Sequence, residues 1–251
     1  MSAGITAIAT LHSERLKRLS ESQKLVAKYR DPLLLASMEL QSRLYNILEQ
    51  DFLSHYEKKD RRDLVDVYTA FLIGQFFSWT YILRRQVQFF RPSTDKSHQK
   101  LSRAIEAIQK SFSTDEYGKE DSDFMLWRGE QLAIGEIMTV SDGGELFCSQ
   151  YSQFSQKFKS ADASFREWFN LIIEGIAALV NRRSTHDSSQ HLPASRLRRV
   201  QHSLLDLIDV LDPHCLATGT TRRQRVYPAP SCDCSECRRA AGSYGTDSGT
   251  S

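Results

Sequence analysis

The residues best suited to chemistry are three cysteines near the C-terminal end of the sequence, with the spacing Cys232-x-Cys234-x-x-Cys237. Zn²⁺ prefers four sulfur or nitrogen ligands in a tetrahedron, so three such thiolates need one more partner. The nearest candidates upstream are Cys215 and His214. The spacing is therefore compatible with a zinc site made of these cysteines, but we interpret the segment first as a flexible tail that is rich in cysteine without binding metal.

A second group of polar residues lies in segments that are otherwise apolar. It comprises Arg43, Gln75, Arg128 and Glu130. Such side chains could line a ligand pocket among the predicted helical segments, and Glu130 with Glu136 could form a catalytic carboxylate pair. Structural ion pairs and hydrogen-bonded networks produce the same pattern. Gly129 and Gly135 indicate a place where two helices approach closely.

Other chemical signals are weak. The seven histidines lie mostly in polar contexts, and none has the H-E-x-x-H spacing of a helical metal site. No phosphate-binding glycine loop and no G-x-S-x-G motif is present. Arginines cluster in three short runs, which we interpret as solvated faces: residues 182–183, 196–199 and 222–225.

The element that must position these residues is an uncharged segment from Val67 to Leu83. Its 17 residues contain no Asp, Glu, Lys, Arg or His, and six of them are aromatic. A membrane-spanning helix needs about 20 mostly apolar residues. The segment therefore predicts a buried central helix, at about residues 62–90, of an irregular all-α bundle.

Period-3.6 apolar patterns predict further helices around this centre. The Asp31-Pro32 pair is a typical helix start and predicts a break between one helix over residues 3–29 and another over 32–56. Phe124–Trp127 and Glu145–Cys148 could form one minor two-stranded β element. We expect an N-terminal helical extension (1–30), a helical bundle domain (31–213) and a disordered tail (214–251) that contains the cysteines and arginines.

Composition narrows the class of protein. A net charge of +2 is too small to indicate nucleic acid as a partner. The five cysteines are an odd number and do not resemble a secreted disulfide framework. We therefore expect a cytoplasmic protein, with weak contact of the N-terminal helix with a membrane surface as the alternative.

Four blocks of sequence resemble a family of uncharacterised microbial proteins. They are LQSRLYNILEQDF (40–52), FLIGQFFSWTYILRRQVQF (71–89), RGEQLAIGEIM (128–138) and LLDLIDVLDP (204–213). The resemblance implies one helical domain over about residues 25–213. It implies no activity, ligand or partner, and hence no catalytic residue.

Three functions are compatible with these patterns. The first is a non-enzymatic interaction or scaffold domain with an unknown protein partner and no cofactor. The second is a small-molecule-binding protein or enzyme whose pocket uses the polar residues Arg43, Gln75, Arg128 and Glu130. The third is a zinc-binding tail.

Overall fold

The computed structural model describes residues 2–50, 52–57, 61–87, 96–116, 122–160, 163–185, 194–217, 219, 223–229 and 232–243. Its elements, in chain order, are α1 (Ser2–Glu49), α2 (Phe52–Glu57), α3 (Arg62–Val87), α4 (Lys96–Ser113), α5 (Arg128–Ile137), β1 (Thr139–Asp142), β2 (Glu145–Cys148), α6 (Tyr151–Lys159), α7 (Ala163–Glu167), α8 (Asn170–Thr185), α9 (Ser195–Leu211) and α10 (Ser235–Ser243). The fold is all-α with one small antiparallel sheet, as the sequence predicts.

Helix α3 lies at the centre of the fold, which confirms the prediction for the uncharged aromatic segment. It packs against α1, α5, α6, α8 and the two strands. Ile73 and Phe76 have no exposed surface, and the Phe77 ring lies edge-on to that of Phe112 in α4, 5.3 Å between centroids. The helix ends at Val87; the last residues of the predicted span, 88–90, lie outside the described residues. Within the described ranges, no helix combines the length and hydropathy required to cross a bilayer.

The predicted break at Asp31-Pro32 is wrong, because α1 continues through Pro32 to Glu49. A proline inside a helix costs about 3 kcal/mol, since it removes one hydrogen bond and clashes with the preceding turn. Packing outweighs this cost: Leu33, Leu40 and Leu44 are fully buried against the body of the bundle, and each contributes about 2 kcal/mol. The boundary proposed at residue 30 therefore falls within a continuous helix.

The minor β element is present, but its first strand differs from the prediction. Strand β2 (Glu145–Cys148) pairs with β1 (Thr139–Asp142), not with Phe124–Trp127. Gly143 and Gly144 join the strands with φ angles of 55° and 83°, the left-handed pair that a two-residue hairpin requires. Phe124 also has a positive φ of 57° and is buried, so it belongs to a tight turn rather than to a strand.

Helix α9 is buried on most sides, and its arginines are not the solvated face that the sequence suggested. Arg196 is 1% exposed and Arg198 is 4% exposed. The Arg196 guanidinium donates to the carbonyl oxygens of Ser111 and Phe112, at 2.9 Å each, and of Asp123, at 3.0 Å. Because the first two carbonyls belong to the last turn of α4, Arg196 supplies the donors and the positive charge that a helix C-terminus favours.

Candidate metal centre

Helix α9 and the C-terminal segment together bring four side chains that could bind a metal ion close to one another. His202 lies in the middle of α9, while Cys232, Cys234 and Cys237 lie just before α10 and in its first turn. The Nδ1 atom of His202 and the three Sγ atoms lie within 4.8 Å of one another. His202 and Cys234 are buried, and the other two cysteines are partly buried. The four atoms thus surround one point inside the protein surface.

The three nitrogen–sulfur distances in this cluster are close to the corresponding edges of a zinc tetrahedron. With Zn–S bonds of about 2.3 Å and Zn–N bonds of about 2.05 Å, tetrahedral geometry places the nitrogen about 3.6 Å from each sulfur. The Nδ1 atom of His202 is 3.4 Å from Cys232 Sγ, 3.4 Å from Cys234 Sγ and 3.6 Å from Cys237 Sγ. All three nitrogen–sulfur distances are therefore those expected around a single ion.

The orientation of the His202 ring fits a metal ligand. Its Nε2 atom is 2.9 Å from the carbonyl oxygen of Val226. Since that oxygen can only accept, Nε2 carries the proton and Nδ1 keeps a lone pair directed toward the sulfurs. Burial lowers the pKa of the His202 imidazole, which favours the neutral form that binds metals. The carbonyl of Val226 thus selects both the tautomer and the ring orientation.

Two of the three thiols are costly to ionise without a cation beside them. Burial raises the pKa of the Cys232 thiol. Burial also raises the pKa of Cys237 to about 12, with a further contribution from the neighbouring Cys234 and Cys232. A divalent cation reverses this preference, because it is attracted to thiolates and displaces their protons. The backbone N–H of Cys237 already donates to Cys234 Sγ at 3.3 Å, as a thiolate ligand would require.

A second layer of contacts fixes α10 against α9. Asp206, one turn after His202, accepts hydrogen bonds from the backbone N–H of Ser235, at 3.0 Å, and from the Ser235 hydroxyl, at 2.6 Å. A carboxylate at the start of α10 is also favoured by the helix dipole. Arg225 bridges Asp206 (2.8 Å) and Glu236 (3.0 Å) and donates to the carbonyl oxygen of His202. These contacts hold α10 against α9, so that the cysteines lie next to His202.

The preceding segment, residues 223–229, is attached to α9 and α1 through its backbone. Gln201 of α9 donates to the Gln224 carbonyl at 3.1 Å and accepts from the Val226 N–H at 3.3 Å. Glu49 of α1 accepts from the N–H of Tyr227 at 3.1 Å, and Val226 is 2% exposed. The sequence assigned residues 214–251 to a disordered tail. Residues 223–229 and 232–243 instead pack on the bundle, because polar side chains of two distant helices satisfy their backbone.

The structure brings together three of the four predicted metal ligands and leaves Cys215 outside. Cys215 and His214 are exposed in the turn that follows α9. Their place is taken by His202, which the sequence analysis passed over as one of several scattered histidines. A usable signal existed: His202 and Asp206 are four residues apart on α9, so both lie on one face of a helix that is otherwise rich in leucine.

The four polar residues predicted to share a pocket do not converge on one site. The Arg43 guanidinium lies 4.4 Å from the Phe52 ring centroid and 4.8 Å from that of Tyr68. The side-chain amide of Gln75 forms a hydrogen bond with Glu39. Arg128 of α5 instead forms an ion pair with Glu106 of α4. Glu130 accepts the N–H of Trp127 at 2.6 Å. Glu130 is therefore a helix cap in this structure, and we assign it no place in a carboxylate pair.

Comparisons with protein-family models, with curated proteins and with solved structures gave no match to this chain. The resemblance to a microbial helical family stays a prediction.

Proposed function

We propose that the protein binds one Zn²⁺ through His202, Cys232, Cys234 and Cys237, and that the ion closes the C-terminal segment onto a non-enzymatic helical interaction domain. The observation that supports this proposal is the set of three nitrogen–sulfur distances between 3.4 and 3.6 Å, which are close to the three nitrogen–sulfur edges of a Zn–S₃N tetrahedron. The sequence suggested a zinc site and an interaction domain as alternatives, and the geometry favours their combination.

The donor set favours a structural ion over a catalytic one. Catalytic zinc keeps one of its four positions for water or substrate, whereas structural zinc takes all four ligands from the protein. Here four side chains converge, and three of them are soft thiolates. The contacts of Val226 and Asp206 behind the ligands supply the outer shell that such sites need. We therefore assign the ion a structural role rather than a catalytic one.

The segment closed by the ion supports an interaction role. Tyr227 lies in this segment, and its side chain is 56% exposed although its backbone bonds to Glu49. A large apolar side chain held on a rigid backbone loses little conformational freedom when a partner covers it. Zinc binding would thus hold the backbone of Tyr227 in place and leave its exposed ring available to a protein partner.

Metal content of the purified full-length protein tests the proposal. The wild-type protein, prepared under reducing conditions with zinc supplied, should contain about one Zn²⁺ per chain, as measured by inductively coupled plasma mass spectrometry. His202→Ala and Cys237→Ser should lose most of it. Cys215→Ser is the matched control, since it removes a thiol of the same tail that lies outside the cluster, and it should retain the metal.

Substitution with Co²⁺ gives an independent readout of geometry. A tetrahedral S₃N site should show intense visible ligand-field bands and a sulfur-to-metal charge-transfer band. Both should disappear in Cys237→Ser and persist in Cys215→Ser. A wild-type protein that takes up neither metal refutes the zinc proposal. Loss of metal in Cys215→Ser but not in His202→Ala would refute the assignment of the fourth ligand.

A further inference from the structure

A cleft of about 410 Å³ lies between α3, α4 and α5, and none of the metal ligands lines it. Its apolar wall is formed by Phe77, Tyr81 and Leu132. Phe77 is buried at 1% exposure, while Leu132 is 49% exposed. The volume suits a small organic molecule and lies at the lower end of the range for ligand sites. An aromatic ring inserted here would cover the exposed face of Leu132.

Two arginines line this cleft. Arg84 of α3 and Arg128 of α5 both line it. Glu106 pairs with Arg128, and Gln109 accepts from the same guanidinium at 2.7 Å. Arg84 has no ion pair or side-chain hydrogen bond with any residue that the structure describes. The lining side chains therefore carry one positive charge in excess.

The start of α5 also contributes to the lining of the cleft. Arg128 is the first residue of the helix, and Gly129, the second, lines the cleft. The N–H groups of a first helical turn have no acceptor within the helix, and they attract anions. A Cβ atom at Gly129 would meet nothing within 4 Å, so this backbone is open to approach. The Glu130 carboxylate is engaged with the N–H of Trp127.

Gln131 provides an observation that is independent of charge. It is 3% exposed and lines the cleft. Its Nε2 atom donates to the carbonyls of Gln109, at 2.9 Å, and Leu126, at 2.8 Å, which fixes the orientation of the amide. The Oε1 atom is buried and has no hydrogen-bond partner among the described residues. Buried acceptors are normally paired, so a small shift of the cleft wall that exposes this oxygen to a ligand donor would satisfy an acceptor that the protein leaves open.

We propose that this cleft binds a small aromatic anion, a phosphate or a carboxylate, that also carries an N–H or O–H donor. The anionic group binds Arg84 and the N–H groups at the start of α5. The ring packs on Phe77 and Leu132, and the donor bonds to the Oε1 atom of Gln131. This site goes beyond the proposed zinc function and does not depend on it, because the two share no residue.

A set of four matched compounds tests each part of the proposal. 4-Aminophenyl phosphate has all three features; phenyl phosphate lacks the donor, aniline lacks the anion, and 4-aminobenzoate replaces phosphate by carboxylate. Binding to the zinc-loaded full-length protein is measured by saturation-transfer NMR and calorimetry. The first compound should bind about fivefold more tightly than phenyl phosphate, because one neutral hydrogen bond is gained. Aniline should not bind measurably.

Two pairs of variants localise the binding. Arg84→Gln should weaken the binding of 4-aminophenyl phosphate by about tenfold, the effect of one lost charge-assisted contact. Arg103→Gln, at an exposed position of α4 outside the cleft, should leave the affinity unchanged. Leu132→Glu should repel the anion, and Leu132→Gln serves as its neutral control.

Three results would overturn the inference. The first is the absence of binding by both anionic amino compounds at about 10 mM, a concentration that detects even very weak sites. The second is equal weakening by Arg84→Gln and Arg103→Gln, which would indicate a general charge effect on the surface. The third is equal affinity for the phosphate compounds with and without the amino group, which would remove the role of Gln131. Zinc content should stay normal in all these variants, so failure here is distinguishable from failure of the metal proposal.

Discussion

Replacing Gly135 with alanine tests the close contact between α5 and α3. An added Cβ atom at this position would lie 2.7 Å from the backbone oxygen of Phe77 and 3.0 Å from the Cβ atom of Tyr81. The first neighbour is backbone of the central helix, so it cannot rotate away as a flexible side chain could. To reach an ordinary contact of 3.4 Å, the two helices must separate by several tenths of an ångström.

The expected cost follows from these distances. Overpacking of a well-packed interior costs about 1–3 kcal/mol, and alanine recovers about 0.5–1 kcal/mol through its better helix propensity. The net loss of unfolding free energy should be about 1–2 kcal/mol. For a protein of this size, such a loss lowers Tm by about 5 °C.

The matched control is the same substitution at Gly129, in the same helix. A Cβ atom there would meet nothing within 4 Å, so Gly129→Ala should be neutral or stabilising by up to about 1 kcal/mol. Both variants are measured by urea and thermal unfolding with zinc in excess. If Gly135→Ala is as stable as Gly129→Ala, the helices do not approach as closely as described, and the argument from close packing fails.

Two other predictions concern buried groups. Arg196→Met should lower the unfolding free energy by about 4 kcal/mol, because three buried carbonyls lose a charged donor; a loss below about 1 kcal/mol in urea unfolding would contradict the capping of α4. Cys148 should react with iodoacetamide far more slowly than the exposed Cys215 at pH 8. Burial raises the pKa of the Cys148 thiol to about 11, so only about one molecule in a thousand carries the reactive thiolate. The rate for Cys148 should increase as the pH rises toward that pKa. Equal rates for the two cysteines at pH 8, read by mass spectrometry of peptides, would contradict the raised pKa of Cys148.

The central helix could be predicted from the sequence because its signal is local. A run of residues without charge has few places to lie except inside the protein, and Phe76 and Phe77 lie there. The β hairpin is an intermediate case. Gly143-Gly144 marked a turn, but the strand that precedes it, Thr139–Asp142, is too short to show an alternating pattern.

Other features depend on residues that are distant in sequence. Pro32 is a strong local signal for a helix break. The burial of Leu33, Leu40 and Leu44 against other helices explains why α1 continues through it. Arg196 looked like part of a solvated cluster because the carbonyls that it binds lie 84 and 85 positions earlier.

The proposed metal centre combines both kinds of information. The Cys232-x-Cys234-x-x-Cys237 spacing is local and could be recognised. The fourth ligand could not be chosen by proximity along the chain, since His202 lies 30 residues before Cys232, and Cys215 is nearer. What selects His202 is the path of residues 223–229 along α9, which depends on Gln201 and Glu49.

The packing of α1 against both α3 and α9 has a consequence for biosynthesis. Leu33 leaves the ribosome more than 150 residues before α9 is complete, an interval of about 10–30 s at ordinary rates of translation. During that time the side of α1 that α9 later covers has no permanent neighbour. We expect the nascent chain to be a substrate for chaperones that shield apolar helices, with release only once α9 has docked.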